Sequence, residues 1–288
     1  MIKKMGKYLA LIKFSHTIFA MPFAITGFFM ALANKGFGNE TLKILGLIVL
    51  CMVFARNAAM AFNRLVDRHI DALNPRTKSR EIPDQIIKPT AAWFFVIINA
   101  ILFTLTTLFI NRLTFFLAPL ALFVIMGYSY TKRFTFLSHF VLGLSLALAP
   151  LGAFIAVSGT ITAPPVFLSL AVMMWVAGFD IIYALQDMDF DIKHKLQSIP
   201  AHVGHKKAKL GAVLTHFAST VFVVLTGLSY DAGALFWIGA TVFIFLLSYQ
   251  HLITYKYGLS KINRTFFVFN GIASFLFASF ISADLLVA

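Results

Sequence analysis

Two stretches of the chain carry carboxylates at a four-residue repeat: Asn63-Arg-Leu-Val-Asp67-Arg-His-Ile-Asp71 and Asp180-Ile-Ile-Tyr183-Ala-Leu-Gln-Asp187-Met-Asp189-Phe-Asp191. On an α-helix, Asn63, Asp67 and Asp71 share an arc of about 80° and step about 6 Å along the axis. Arg56 lies nearly on the same line, about two turns earlier. Asp180, Tyr183, Asp187 and Asp191 fall on a second such arc, and Asp189 points away from it. Two anionic faces brought together repel, and desolvation makes the repulsion worse. Divalent cations between them relieve it. An all-oxygen donor set without Cys or His ligands favours Mg²⁺ over zinc. Mg²⁺ in turn typically binds through one or two carboxylates plus substrate phosphates. Two such faces bridged by Mg²⁺ make a receptor for a diphosphate. His69 falls on a different face from Asp67 and is expected in solvent.

The elements that must position these faces are membrane helices. The 288 residues are 60% hydrophobic and only 12% charged, with a mean hydropathy of +0.86, which leaves too little polar surface for a water-soluble domain. A spanning helix needs roughly 20 mainly apolar residues. Such runs occur near 14–34, 41–62, 91–110, 113–130, 137–158, 164–187, 210–228, 232–253 and 265–286. The fold expected is all-α and polytopic, with nine transmembrane helices in a single domain, 1–288. Met1-Ile-Lys-Lys resembles the basic start of a signal peptide, but no cleavage site follows, so a retained first helix is expected. Asn111-Arg112 must make a tight turn between two short spans. The second span is expected to continue to about Leu73, where Asn74-Pro75 stops it.

Charge placement orients the bundle. With the N-terminus in the cytoplasm, all 24 Lys and Arg residues except Arg56, Lys35, Lys43 and Arg112 fall at the cytoplasmic side, the asymmetry that membrane insertion favours. The net charge of +13 therefore belongs to short loops and does not call for a nucleic-acid partner. Of the 11 acids, all but Glu40, Asp231 and Asp284 lie in 67–84 and 180–191, at cytoplasmic helix ends. A central cavity opening at the cytoplasmic side of the membrane is expected. A polyprenyl diphosphate fits such a place, with its head at the rim and its tail among the helices of the lipid bilayer. Diphosphate departs readily when Mg²⁺ and basic side chains absorb its charge. The allylic cation left behind attacks an electron-rich aromatic ring if water is kept out. Cys51, the single cysteine, reads as a packed thiol.

At these residues the chain resembles the UbiA family of intramembrane aromatic prenyltransferases. The family's first motif, close to N-D-x-x-D-x-x-x-D with Arg seven positions earlier, is matched by Arg56, Asn63, Asp67 and Asp71; Arg64 stands where the motif has Asp. Its second, Y-x-x-x-D-x-x-x-D, is matched by Tyr183, Asp187 and Asp191. A third, Y-x-x-x-K followed by Arg, is matched by Tyr128, Lys132 and Arg133. The resemblance implies nine helices and Mg²⁺ held by Asp67, Asp71, Asp187 and Asp191, with Asn63 as a further oxygen donor. Lys132 and Arg133 are either diphosphate contacts or positive-inside anchors. Arg76 and Arg80 are either a lid over the phosphates or a solvated loop, and Arg56 is either a site residue or one that snorkels to the interface. Tyr128 and Tyr183 orient the diphosphate, shield the cation, or belong to an interfacial aromatic belt.

The run from Phe62 to Pro83 looks like the 4-hydroxybenzoate polyprenyltransferase-like branch, which includes enzymes of the futalosine route to menaquinone. Lys13-Phe-Ser-His16 departs from the R-x-D-K-P-like run of hydroxybenzoate enzymes, so the acceptor expected is an aromatic acid of quinone biosynthesis, hydroxybenzoate- or dihydroxynaphthoate-like. Lys13 and His16 either meet its carboxylate or merely snorkel and pack. The alternative from another class is a cation-coupled transporter, but transporter acids sit at the bilayer midplane, whereas these lie at one rim.

Overall fold

The computed structural model describes residue 11, residues 21–258 and residues 262–287. Its elements are α1 (Met21–Lys35), α2 (Thr41–Val66), α3 (Arg68–Leu73), α4 (Pro89–Leu108), α5 (Arg112–Thr131), α6 (Ser138–Ser158), α7 (Ala163–Ala184), a 3₁₀ turn (Leu185–Asp187), α8 (Met188–Lys193), α9 (Ile199–Ser229), α10 (Ala234–Tyr257) and α11 (Ile262–Val287). Among the described residues, eight helical segments are long and apolar enough to cross a bilayer, and α1 adds a shorter apolar one. The chain is an integral, all-α membrane protein. Lys3, Lys4, Lys7, Lys13, His16, Lys261 and the start of the first expected span lie outside the described residues.

Helix α7 is the most enclosed span, packed mainly between α6 and α9. Its Trp175 is fully buried, with rings of Phe23, Phe179 and Phe243 around it. Its indole N–H donates to Asn270 Oδ1 on α11 at 3.0 Å. Lipid offers no hydrophobic drive between helices, so close backbone approach and interhelical hydrogen bonds must hold the bundle. Gly27 on α1 and Gly143 on α6 supply that approach: a Cβ on the first would collide with the Pro150 carbonyl, and on the second with the Met173 carbonyl. The expected tight turn is held by Asn111, which caps α5 by accepting from Thr114 N–H at 2.8 Å. Its side-chain amide donates to the Ile155 and Ala156 carbonyls at 2.9 and 3.0 Å, tying the turn to the end of α6.

Three details differ from the sequence expectation. The second span does not run unbroken to Leu73. It stops at Val66, Asp67 takes φ −88° and ψ 2°, and α3 resumes. Guanidinium groups have taken the carbonyls that would continue the ladder: Arg68 binds Leu65 O at 2.8 Å and Arg133 binds Val66 O at 2.8 Å. A side chain inserted into the ladder breaks a helix in this way. The sixth span likewise tightens into the 3₁₀ turn before α8. The helix expected over 210–228 begins at Ile199, because Ser198 caps it and Pro200 suits its first turn. Lys206, Lys207 and Lys209 thus lie on a helix that is kinked at Gly204, where φ is +77°, a value glycine adopts freely.

Candidate active site

The breaks in α2 and α7 face each other across one cavity. It has a volume of about 320 Å³ and is lined by Asn63, Asp67 and Asp71 on one side and by Asp180, Tyr183, Asp187 and Asp191 on the other. Arg56, Arg80, Tyr128, Lys132 and Arg133 also line it, so every residue singled out for the diphosphate site meets at one place. Asp189 is exposed and outside the lining, as its helical position requires. Glu81 and Asp84, counted among the clustered acids, do not line it either. His69 is exposed.

The loop after α3 folds back over the acids. Arg76 grips Asp187 with Nε to Oδ1 at 3.0 Å and Nη2 to Oδ2 at 2.5 Å. It also donates to the Tyr183 hydroxyl at 3.1 Å and lies 5.3 Å from the centre of that ring. Asn74, buried behind Pro75, donates to Asp187 Oδ1 at 3.2 Å and accepts the Arg76 backbone N–H at 2.9 Å. Arg80 Nη1 contacts both oxygens of Asp71 at 2.7 Å. Arg133 reaches Asp67 at 3.4 Å, and Asn63 Nδ2 donates to Asp67 Oδ2 at 3.0 Å. The chain's own guanidinium groups thus relieve part of the repulsion expected between the two faces, pairing with three of the acids. Charge-assisted pairs of this kind contribute about 1.5–3 kcal/mol each when well formed. Burial nevertheless lifts the Asp67 carboxyl above its ordinary value of 3.8, the Asp71 charge adds to the rise, and Arg133 opposes it. For Arg76, burial works against the charge, but the bond and charge of Asp187 outweigh it and raise the guanidinium above its usual value.

A second cavity of about 220 Å³ continues from the first, sharing Arg56, Met60, Tyr128, Leu142 and Leu146. Its other walls are almost wholly apolar. They run through Met52, Ala121 and Ala149 to Ile48 on α2, Ile110 and Thr114 at the α4–α5 turn, and Ile155 near the end of α6. From Asn63 to Ile48 is about 22 Å along a helix, most of a hydrocarbon core of about 30 Å. A polar head site and a long apolar slot thus share one mouth.

Sequence reasoning gave Asp180 a place on the working face but no role, and assigned Asn74 only a helix-stopping one. The signal for Asn74 was its position before Pro75, where a free side chain can bridge the turn to the opposite acids. Asp180 could be picked out only through its partner His139, 41 positions away, which no spacing rule connects.

The site and fold together define an all-α intramembrane bundle with paired acids at the mouth of an apolar slot. The model of the UbiA prenyltransferase family matches residues 20–277, and the chain belongs to that family. Its fold resembles the apo structure of a UbiA homolog from Aeropyrum pernix K1, with a TM-score of 0.81 at 29% identity over 94% of this chain and 97% of that one. It also resembles a UbiA homolog from Archaeoglobus fulgidus bound to DMAPP and Mg²⁺, with a TM-score of 0.76 at 22% identity over 98% and 100% of the two chains. Among named relatives, the 4-hydroxybenzoate octaprenyltransferase of Shewanella loihica is 27% identical over 90% of both chains. That of Vesicomyosocius okutanii is 30% identical over 55% of this chain, and the match spans 57% of the relative's own length.

Proposed function

We propose that this protein, as one membrane-embedded domain, transfers a polyprenyl group from polyprenyl diphosphate to an aromatic acid acceptor, hydroxybenzoate- or dihydroxynaphthoate-like, in quinone biosynthesis. The observation that carries the reading is the shared mouth: two acidic helix ends face one polar cavity, which opens directly into an apolar slot. The basic asymmetry of the loops supports a mouth on the cytoplasmic side, with the N-terminus there and the C-terminus opposite.

The residues fit Mg²⁺. The donors are all oxygen, and one carboxylate oxygen of Asp191 is buried with no hydrogen-bond partner, an arrangement that a cation would satisfy. Among the described residues no three acidic, His or Cys side chains converge as a ready-made cage, which suits a metal that relies on substrate phosphates for part of its shell. Asp67, Asp71, Asp187 and Asp191, with Asn63, would hold it. When bound, Mg²⁺ neutralises charge developing on the departing diphosphate. Arg80, Lys132 and Arg133, with Arg76 beside them, bind the phosphate oxygens. Arg56 and Tyr128 stand where head site and slot meet, and the Tyr128 and Tyr183 rings shield the allylic cation. The apolar walls exclude water that would quench it.

The test is an assay of membranes containing the protein, supplied with Mg²⁺, labelled prenyl diphosphate and a panel of aromatic acids including 4-hydroxybenzoate and dihydroxynaphthoates. Transfer to one acceptor, abolished by chelation, is expected. Cation flux in proteoliposomes without any prenyl transfer would sink the reading in favour of a transporter.

A further inference from the structure

Asp180 is a further carboxylate lining the polar cavity. It precedes Asp187 by seven residues, about 10 Å along the helix, and keeps 20% of its side chain exposed. Its Oδ2 lies 2.6 Å from Nδ1 of His139, a residue with no exposure at all. The other ring nitrogen, Nε2, is 3.3 Å from the backbone N–H of Ile199 at the start of α9. An amide N–H can only donate, so Nε2 accepts and the ring proton sits on Nδ1, pointing at Asp180. Three of the five cavity arginines bind other acids: Arg76 to Asp187, Arg80 to Asp71 and Arg133 to Asp67. Asp180 is thus an oriented carboxylate that none of these guanidinium groups takes up. Beside it the lining turns apolar, with Val176, Phe179, Leu142 and Leu146; the last two also wall the slot.

We propose that Asp180 is the base that removes the ring proton during prenyl transfer, and that His139 is the positioning residue that aims it. This rests on the function proposed above. With the diphosphate held by the acids at the rim and the tail in the slot, the prenyl C1 and the acceptor ring meet at the level of Asp180. The C1–O bond breaks and its electron pair leaves with diphosphate. A π pair of the ring forms the new C–C bond to C1. The proton on the substituted ring carbon passes to Asp180, the C–H pair restores aromaticity, and Asp180 returns the proton to water at the mouth. No oxidant or reductant is required.

The full-length protein is assayed with geranyl diphosphate, Mg²⁺ and an acceptor that the wild type prenylates. Asp180→Asn should lower transfer at least ~100-fold, the scale of a lost general base, while retaining Mg²⁺-dependent binding of geranyl diphosphate. Asp180→Glu should recover part of the rate. With acceptor deuterated at the substituted carbon, the wild type should show no isotope effect. The residual turnover of Asp180→Asn should show a primary one, because proton loss has become limiting. His139→Leu should lower kcat and leave KM for geranyl diphosphate unchanged. Wild-type rates in Asp180→Asn, or loss of geranyl diphosphate binding in a variant that still unfolds cooperatively, would overturn the assignment and leave the proposed function standing. If Asp180→Asn does not fold, His139→Leu decides, and an unchanged kcat there overturns it. Absence of transfer by the wild type to every acceptor removes the proposed function and this inference together.

Discussion

One nitrogen of the Arg80 guanidinium lies 2.7 Å from each carboxylate oxygen of Asp71, nine residues earlier in the chain. Arg76 holds Asp187 on the far side of the cavity with two nitrogens instead, Nε to Oδ1 at 3.0 Å and Nη2 to Oδ2 at 2.5 Å. A single short loop therefore lays a cation on each of the two anionic faces, where metal and diphosphate would otherwise supply the compensating charges.

Metal and guanidinium compete for the same oxygens, and the guanidinium also has a phosphate to bind. Arg76→Gln and Arg80→Gln should therefore bind Mn²⁺ alone more tightly than the wild type, as measured by electron paramagnetic resonance. The same variants should bind geranyl diphosphate in Mg²⁺ about 10-fold more weakly, the worth of one charge-assisted hydrogen bond. If Mn²⁺ affinity falls along with that for the diphosphate, the arginines are not displaced from the acids.

Charge at the cavity wall, rather than in the loops generally, should matter for turnover. Asp67→Asn, Asp71→Asn, Asp187→Asn and Asp191→Asn should each lose at least ~100-fold in transfer, comparable to removing a principal electrostatic stabiliser. Asp189→Asn, only two residues from two of these, should keep most activity because its side chain is exposed outside the lining. Equal losses at Asp187 and Asp189 would contradict the geometry of the face.

Asp67 gives a dependence on pH. Its carboxyl lies above 3.8, chiefly through burial and then through Asp71, so the folded state holds the proton more tightly than the unfolded one. The stabilising contribution is complete below 3.8 and is lost as pH rises through the elevated value. In chelator, Asp67→Asn should have a higher Tm than the wild type at neutral pH, and the gap should close as the solution is acidified. A gap that widens toward acid pH would reverse the sign of the argument.

The slot can be shortened without touching the head site. Ala121 lines the apolar cavity and not the polar one, so Ala121→Phe should block long polyprenyl diphosphates while geranyl diphosphate is still used. Product chain lengths read by mass spectrometry would show this, and an unchanged preference for long chains would mean the tail lies elsewhere.

Most of the bundle was legible because a bilayer imposes length and polarity on every span, and the acids were legible because four-residue spacing puts side chains on one face. Less readable were features set by contacts distant in sequence. Asp67 sits at a helix break because Arg133 reaches Val66 O, 67 positions away. The start of α9 was missed because Lys206, Lys207 and Lys209 read as loop, although charge alone does not prevent a helix. Asp187 faces Asn74 and Arg76 rather than bulk solvent, a pairing no local pattern encodes.

Helix α2 carries the slot lining at Ile48 and the head-site side chains at Asn63 in one rigid rod. Sliding or turning that rod to lengthen the slot would misalign the acids by the same displacement. Evolution of tail-length preference in this scaffold is thereby channelled to single side chains along the slot, such as Met52, Phe103, Leu117 and Gly152, which can change size one at a time. The measuring stick can be recut residue by residue while the reactive end stays in place.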